Sequence, residues 1–309
     1  MFSVLFPGQG SQNVGMAKEF YENFSYVKKY FSYADEIVNK KLSKIILDGP
    51  KEELDKTENT QPAIFLVSYS IFKVIEKETE FNVKNAKFYA GHSLGEYSAL
   101  CCSDAITFEE TIILLNSRGK AMQNAVPNNE GGMIAVLGKE ITEIEKIIKD
   151  NCNTFICFVA NDNSVGKLVV SGKIGSLNLF TEELKKRSIK FVKLQVSAPF
   201  HCPLMKKATD EMKSKILNIN IKNPTVNIVS NVTALPQDNA KTIKNLLIEQ
   251  IEKPVRWRES VNNMIGNGVN KFLEVGPGKV LSGLIKRIDR NVKLNQVNNL
   301  LDLKNITND

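Results

Sequence analysis

Lys87-Phe88-Tyr89-Ala90-Gly91-His92-Ser93-Leu94-Gly95-Glu96-Tyr97-Ser98-Ala99-Leu100-Cys101 is the stretch on which the fold turns. The run 87–91 is short and mainly apolar, as a buried strand is. Gly91-His92-Ser93-Leu94-Gly95 then matches G-x-S-x-G, and a helical pattern continues toward Cys101. The spacing has a steric reason. A serine on a sharp strand-to-helix turn takes a strained backbone, and glycines on both sides let neighbouring chain come close. The turn exposes the hydroxyl and sets the next backbone N–H at a helix N-terminus, where it can stabilise an oxyanion. The five letters alone also occur in ordinary βα turns. The strand before and the helix after are the context that a nucleophile elbow needs.

A serine hydroxyl needs a base. The 309 residues hold two histidines, His92 and His201. His92 adjoins the serine, and side chains of neighbouring residues diverge at an elbow, so it is badly placed. His201 remains, in Val196-Ser197-Ala198-Pro199-Phe200-His201-Cys202, after a strand and before a helix. A lone histidine is by default a structural one; the scarcity of histidine reverses that default here. The group that orients His201 stays open. Asp104, Asp150 and Asp162 fall between Ser93 and His201, where a hydrolase acid would come in chain order, but none has a strand-end context.

The same counts exclude other chemistry. Two histidines cannot build a multi-histidine metal site. Cys101, Cys102, Cys152, Cys157 and Cys202 form no C-x-x-C pair, which argues against structural zinc. An odd number of irregularly spaced cysteines fits reduced thiols, hence a cytoplasmic location. Hydrophobic residues at 42% and charged residues at 24% are an ordinary globular balance. The net charge of +7 is spread among interleaved acids and bases. It permits an acidic partner and gives no nucleic-acid tract. The first residues, Met1-Phe2-Ser3-Val4-Leu5-Phe6-Pro7-Gly8, read as strand and turn rather than signal peptide. No apolar stretch approaches a membrane span.

Outward from the elbow, a strand is expected at 2–6. A helix over 63–78 should start from a Thr60 cap with Pro62 early in it. Thr107-Phe108-Glu109-Glu110 is a capping box opening a helix to about 126. Near Gly131 the rhythm changes to β-α-β-β-α-β within about 65 residues, the ferredoxin-like order. Helix 203–217, strands 226–230 and 271–275, and helix 279–288 follow, with a polar tail beyond Leu300 expected to fray. The class is therefore α/β: a large α/β-hydrolase-like domain with a mainly parallel sheet, plus an inserted ferredoxin-like α+β subdomain. The expected boundaries are 1–128 and 198–309 for the large domain and 129–197 for the insert.

Arg118 is the anomaly on the capped helix. At about 100° per residue it falls within the stripe of Leu114, Leu115, Ala121, Met122 and Ala125. A buried arginine must find an anion. Pattern alone leaves a structural ion pair and a clamp on a substrate carboxylate about equal. Two glycine loops fail as phosphate cradles: Asn13 occupies the third glycine position after Gly8-Gln9-Gly10, and Val280 follows Lys279 where a P-loop needs Ser or Thr.

Taken together, Phe6-Pro7-Gly8-Gln9-Gly10-Ser11-Gln12, Thr60-Gln61-Pro62-Ala63, the stretch Gly91 to Ser98, Arg118-Gly119-Lys120, Phe200-His201 and Glu274-Val275-Gly276-Pro277-Gly278-Lys279-Val280-Leu281 resemble, in order, the malonyl-CoA:acyl carrier protein transacylases. The likeness spans nearly the whole chain. It implies ping-pong acyl transfer in fatty acid biosynthesis, from malonyl-CoA to the phosphopantetheine thiol of an acidic acyl carrier protein. Ser93 would be the nucleophile and His201 the base. The N–H groups of Gln9 and Leu94 would form the oxyanion hole, and Arg118 would pair with the malonyl carboxylate. The family orients its histidine by a backbone carbonyl, which maps onto Gln250. His92, Met122 and Phe200 would line the pocket, Phe200 resembling malonyl-preferring relatives. Cys202 stands where many relatives have serine. Lys286 and Arg287 would dock the carrier, or form an ordinary solvated face. No cofactor is implied, since coenzyme A and phosphopantetheine thioesters enter as substrates, and a monomer is expected. The alternatives are a serine thioesterase or esterase on the same elbow, a polyketide extender-unit acyltransferase, and a non-catalytic carrier-binding subunit.

Overall fold

The computed structural model describes residues 1–127, 129–196 and 198–306. Ser197, in the run before His201, lies outside them, as do the expected boundary residues 128 and 309. In chain order the strands are β1 (Phe2–Phe6), β2 (Phe88–Gly91), β3 (Gly131–Leu137), β4 (Cys157–Ser164), β5 (Lys167–Lys173), β6 (Lys190–Lys193), β7 (Ile228–Val229), β8 (Pro236–Gln237), β9 (Lys271–Val275) and β10 (Lys293–Val297). They form two sheets, ordered β10-β9-β1-β2-β7-β8 and β4-β5-β3-β6.

The first sheet is parallel except for the terminal β7–β8 pair. Alternation along its strands feeds two cores. Val4, Phe6, Tyr89, Leu273 and Val275 face a cluster that includes Ile64, Phe65 and Ile71 of the helix Thr57–Glu78. Leu5, Phe88, Ala90 and Phe272 face Trp257, Val261, Leu281 and Ile285. Register brings Phe6 opposite Gly91 and Leu5 opposite Glu274. The carboxyl ends of β1, β2 and β9 therefore finish at one edge. The loops at Pro7-Gly8-Gln9, His92-Ser93-Leu94 and Gly276-Pro277-Gly278 gather there, where open parallel sheets build their sites.

The second sheet is antiparallel throughout, with β3 between β5 and β6. Its helices, Ile141–Asp150 and Ile174–Lys186, cover one face through Ile144, Ile147, Leu177, Phe180 and Leu184. Strand order and connectivity are ferredoxin-like. Met133, Ala160 and Val169 turn the other face to the main core. The two bodies are also stitched along β4. Asp162 N–H donates to Val255 O at 3.0 Å, Val255 N–H to Ala160 O at 2.8 Å, and Arg258 ion-pairs with Asp162 at 2.9 Å and Glu140 at 2.6 Å.

Four expectations need correction. The long helix starts at Thr57, not at a Thr60 cap, and Pro62 lies inside it. The Thr60 hydroxyl donates to Leu54 O at 2.6 Å instead of capping, while Lys56 O takes the N–H groups of Asn59 and Thr60. The capped helix has its Thr107–Glu110 box but ends at Gln123, short of 126. The segment 203–217 opens with a 3-10 turn, Pro203–Met205, before the helix Lys206–Asn218. The tail does not fray at once: Asn299 caps the helix Leu300–Lys304, whose Leu303 is buried. Helices Ala240–Glu249 and Trp257–Gly266 and strand β10 were not foreseen.

Candidate active site

Ser93 occupies the left-handed region, with φ of 54°. A non-glycine residue there carries a cost of about 1–2 kcal/mol, so the surroundings must hold it. Gly95 supplies part of the hold. A Cβ on it would lie 2.2 Å from Phe6 O, so only glycine lets the elbow helix (Gly95–Cys102) abut the end of β1. The side-chain amide of Asn231 supplies the rest: Oδ1 accepts from Ser93 N–H and Nδ2 donates to Gly91 O, both at 2.7 Å. It clasps the turn as a strand partner would.

Ser93 Oγ lies 2.8 Å from His201 Nε2, and His201 Nδ1 lies 2.8 Å from the carbonyl oxygen of Gln250. A carbonyl only accepts, so Nδ1 carries the proton and Nε2 presents its lone pair to the serine hydroxyl. His201 is buried, with φ of 57°. Its neighbour Phe200 is tied to the second sheet, where Ser171 Oγ donates to Phe200 O at 2.7 Å. Burial and then the positive charge of Arg118 push the imidazole down to about 3, so it is the neutral, proton-accepting form at neutral pH.

Arg118 is 0% exposed. Nη1 donates to Gln61 Oε1 at 2.8 Å; Nη2 donates to Gln250 Oε1 at 2.9 Å and to Ser93 Oγ at 3.2 Å. Its guanidinium carbon is 5.5 Å from the centre of the Tyr97 ring. Among the described residues it has no carboxylate in ion-pair contact. Gly119 makes this placement feasible. A Cβ there would come 2.7 Å from Glu58 Cα, so the arginine helix touches the helix bearing Gln61. Gln61 Nε2 in turn lies 3.7 Å from Met122 Sδ.

The acyl transferase domain family matches residues 4–301. The chain belongs to that family. A malonyl CoA-acyl carrier protein transacylase of Bacillus subtilis is 41% identical over 295 residues, 94% of this chain and 91% of that one. The crystal structure of an acyl-carrier-protein S-malonyltransferase from Bartonella henselae superposes with a TM-score of 0.95 at 39% identity, covering 98% of this chain and 97% of the other. A malonyl-transacylase solved with its type II polyketide synthase acyl-carrier protein gives a TM-score of 0.94 at 36% identity, covering 98% and 97%.

In this acyl transferase Ser93, His201, Gln250 and Arg118 converge, although 157 positions separate Ser93 from Gln250. Among the described residues no protein acceptor takes the backbone N–H of Gln9 or of Leu94. Leu94 stands at the N-terminus of the elbow helix. A cleft of about 760 Å³ opens beside Gln9 and Thr57 and runs between the bodies past Gln123, Gly131, Ile174 and Val196. His92 turns away from the serine: Nε2 meets Asn163 Oδ1 at 2.8 Å and the ring lies 5.7 Å from that of Trp257. Burial pushes its pKa below the ordinary histidine range. Lys286 and Arg287 are exposed in the last turn of the helix Val280–Ile288. Asp104 pairs with Lys84 and Asp162 with Arg258, so neither serves His201; Asp150 is exposed.

Sequence reasoning missed Gln61, Glu96, Asn163, Ser171 and Asn231. Only Glu96 had a readable signal. It is the one charged residue in Gly95–Cys102, a segment otherwise of small, apolar and uncharged residues, and the structure buries all eight.

Proposed function

We propose that this acyl transferase moves a malonyl group from malonyl-CoA to the phosphopantetheine thiol of an acyl carrier protein, through a malonyl ester on Ser93. His201 Nε2 takes the Oγ proton as Oγ attacks the thioester carbonyl, and returns it to the coenzyme A sulfur as that bond breaks. The carrier's thiol then gives its proton to the same nitrogen, attacks the ester and regenerates Ser93. The Gln250 carbonyl holds the imidazole, and the free N–H groups of Gln9 and Leu94 receive the oxyanion. Met122 and Phe200 border the acyl pocket in this reading, whereas His92, held by Asn163 and turned from the serine, does not.

One observation carries the choice of acyl group. A buried guanidinium donates to the nucleophile's own oxygen at 3.2 Å. An acyl group attacked there has a cation within reach of a carboxylate one methylene beyond its carbonyl, which describes malonyl. The carrier protein as acceptor is supported by the relative solved with its acyl-carrier protein. The net +7, with exposed Lys286 and Arg287, supports an acidic carrier docking by charge. Coenzyme A and phosphopantetheine thioesters enter as substrates, and no cofactor is part of the scheme. We further place the enzyme in cytoplasmic fatty acid biosynthesis as a monomer, with domains 1–128 plus 198–309 and 129–197.

Intact-mass spectrometry after mixing with malonyl-CoA tests the scheme. The chain should gain one malonyl group, and Ser93→Ala should gain none. Full-rate malonyl transfer by Ser93→Ala defeats it.

A further inference from the structure

Glu96 is 2% exposed and is not used by the chemistry above. One carboxylate oxygen, Oε2, accepts from Gln250 Nε2 at 2.7 Å and from Asn231 N–H at 3.0 Å. Each partner holds something else. Asn231 clasps the elbow through Gly91 O and Ser93 N–H. Gln250 presents its carbonyl to His201, its Oε1 to Arg118, and its Nε2 also to Ser93 O at 3.1 Å. Nucleophile, base and guanidinium come from three distant segments, and Glu96 Oε2 is where their supports meet.

We infer that Glu96 is a positioning residue: a buried brace that sets Ser93, His201 and Arg118 in register through Asn231 and Gln250. The inference rests on the acyl-transfer reading for its substrates, though not for its geometry. An oxygen that accepts two N–H bonds does so whether or not the carboxyl is ionised, so shape rather than charge is the working property. Burial fits this, pushing Glu96 up to about 7 despite Asn231, Gln250 and the Arg118 charge nearby. Without the brace, the Gln250 side chain loses one of its two acceptors. Its Oε1 then no longer fixes Arg118, and the arginine and the base drift independently.

Three variants separate the brace from simple loss of fold. Glu96→Ala removes the acceptor, Glu96→Asp withdraws it by one methylene, and Glu96→Gln keeps an acceptor oxygen in place. Two rates are read on protein shown to be folded by its melting transition: labelling of Ser93 by a neutral fluorophosphonate, and kcat/KM for malonyl against acetyl thioester. Leaving the buried N–H donors of Gln250 and Asn231 without their acceptor is expected to slow labelling by about ten- to a hundred-fold in Glu96→Ala and Glu96→Asp. The malonyl-to-acetyl ratio should fall about ten-fold as Arg118 loosens, and Glu96→Gln should recover most of both. If Glu96→Ala does not fold, the Asp and Gln pair carries the comparison. Labelling within two-fold of wild type in Glu96→Asp, or equal losses in Glu96→Asp and Glu96→Gln, overturns the brace. Failure of the wild type to take a malonyl group would defeat the functional reading instead, and the fluorophosphonate arm would still decide the brace.

Discussion

Arg118→Met replaces the buried guanidinium with a side chain of similar length that cannot donate. In the wild type a malonyl carboxylate would take two charged hydrogen bonds from Arg118, which is wholly enclosed, so solvent does not screen them. At about 1.5–3 kcal/mol each, their loss is about 3–6 kcal/mol, or about a 10²- to 10⁴-fold drop in kcat/KM for malonyl-CoA. Acetyl-CoA has no carboxylate and should change by only a few-fold, so selectivity collapses. A second effect follows from the same charge. Arg118 depresses His201, after burial, and its removal should raise the imidazole pKa and move the acid limb of the profile to higher pH. The assay is acyl-enzyme formation from each thioester by rapid-quench mass spectrometry between pH 4 and pH 8. Equal losses for malonyl and acetyl substrates, with an unmoved acid limb, would refute the clamp.

In wild-type enzyme the pH profile of kcat/KM should lack the inflection near 6.5 that an ordinary histidine gives. The folded-state value of about 3 keeps His201 neutral well below that pH, and a drop centred at 6.5 that tracks His201 in an NMR titration would contradict it. Glu96 should make stability fall with rising pH. Its folded value of about 7 exceeds the ordinary 4.5, so the fold favours the protonated acid; that contribution is full below 4.5 and is lost as pH climbs through 7. The change is about 3 kcal/mol in order of magnitude, and urea titrations of wild type and Glu96→Gln across that window should differ in slope. Asn231→Ala removes both clasps on the elbow and should cost about 2–4 kcal/mol of stability by chemical denaturation. A fully stable variant would show that the turn holds Ser93 by other means.

The elbow was legible because its requirements are local. A strand, two glycines and a serine fall within a few residues, and Gly95 shows its purpose only against the end of β1. His201 was legible by count, since a chain with two histidines offers little choice. Arg118 announced itself as a charge in an apolar stripe. What stayed hidden was the support. Asn231, Gln61 and Ser171 are neutral polar residues that meet their partners across tens of positions, and no spacing rule marks such pairs. The helix start differs from the sequence expectation because proline punctuates strongly: Pro62 draws the expected boundary inward, whereas the helix begins at Thr57, with Thr57, Asn59 and Thr60 buried. Strand β10, Lys-Leu-Asn-Gln-Val at a sheet edge, is too polar to stand out from a loop.

The placement of β1 also governs how the molecule comes into being. This first strand emerges earliest from the ribosome, yet its neighbour β9 is made about 270 residues later. Until then one flank of the central ladder is open, and such long-range closure is slow. Ser93 is translated more than a hundred residues before His201, and Gln250 later still. A growing chain therefore carries Ser93 without His201, Asn231 and Gln250 until each of these has been made. With the roles proposed for these residues, acylation would await the arrival of Gln250, so a nascent chain would not trap a thioester on an unfinished protein.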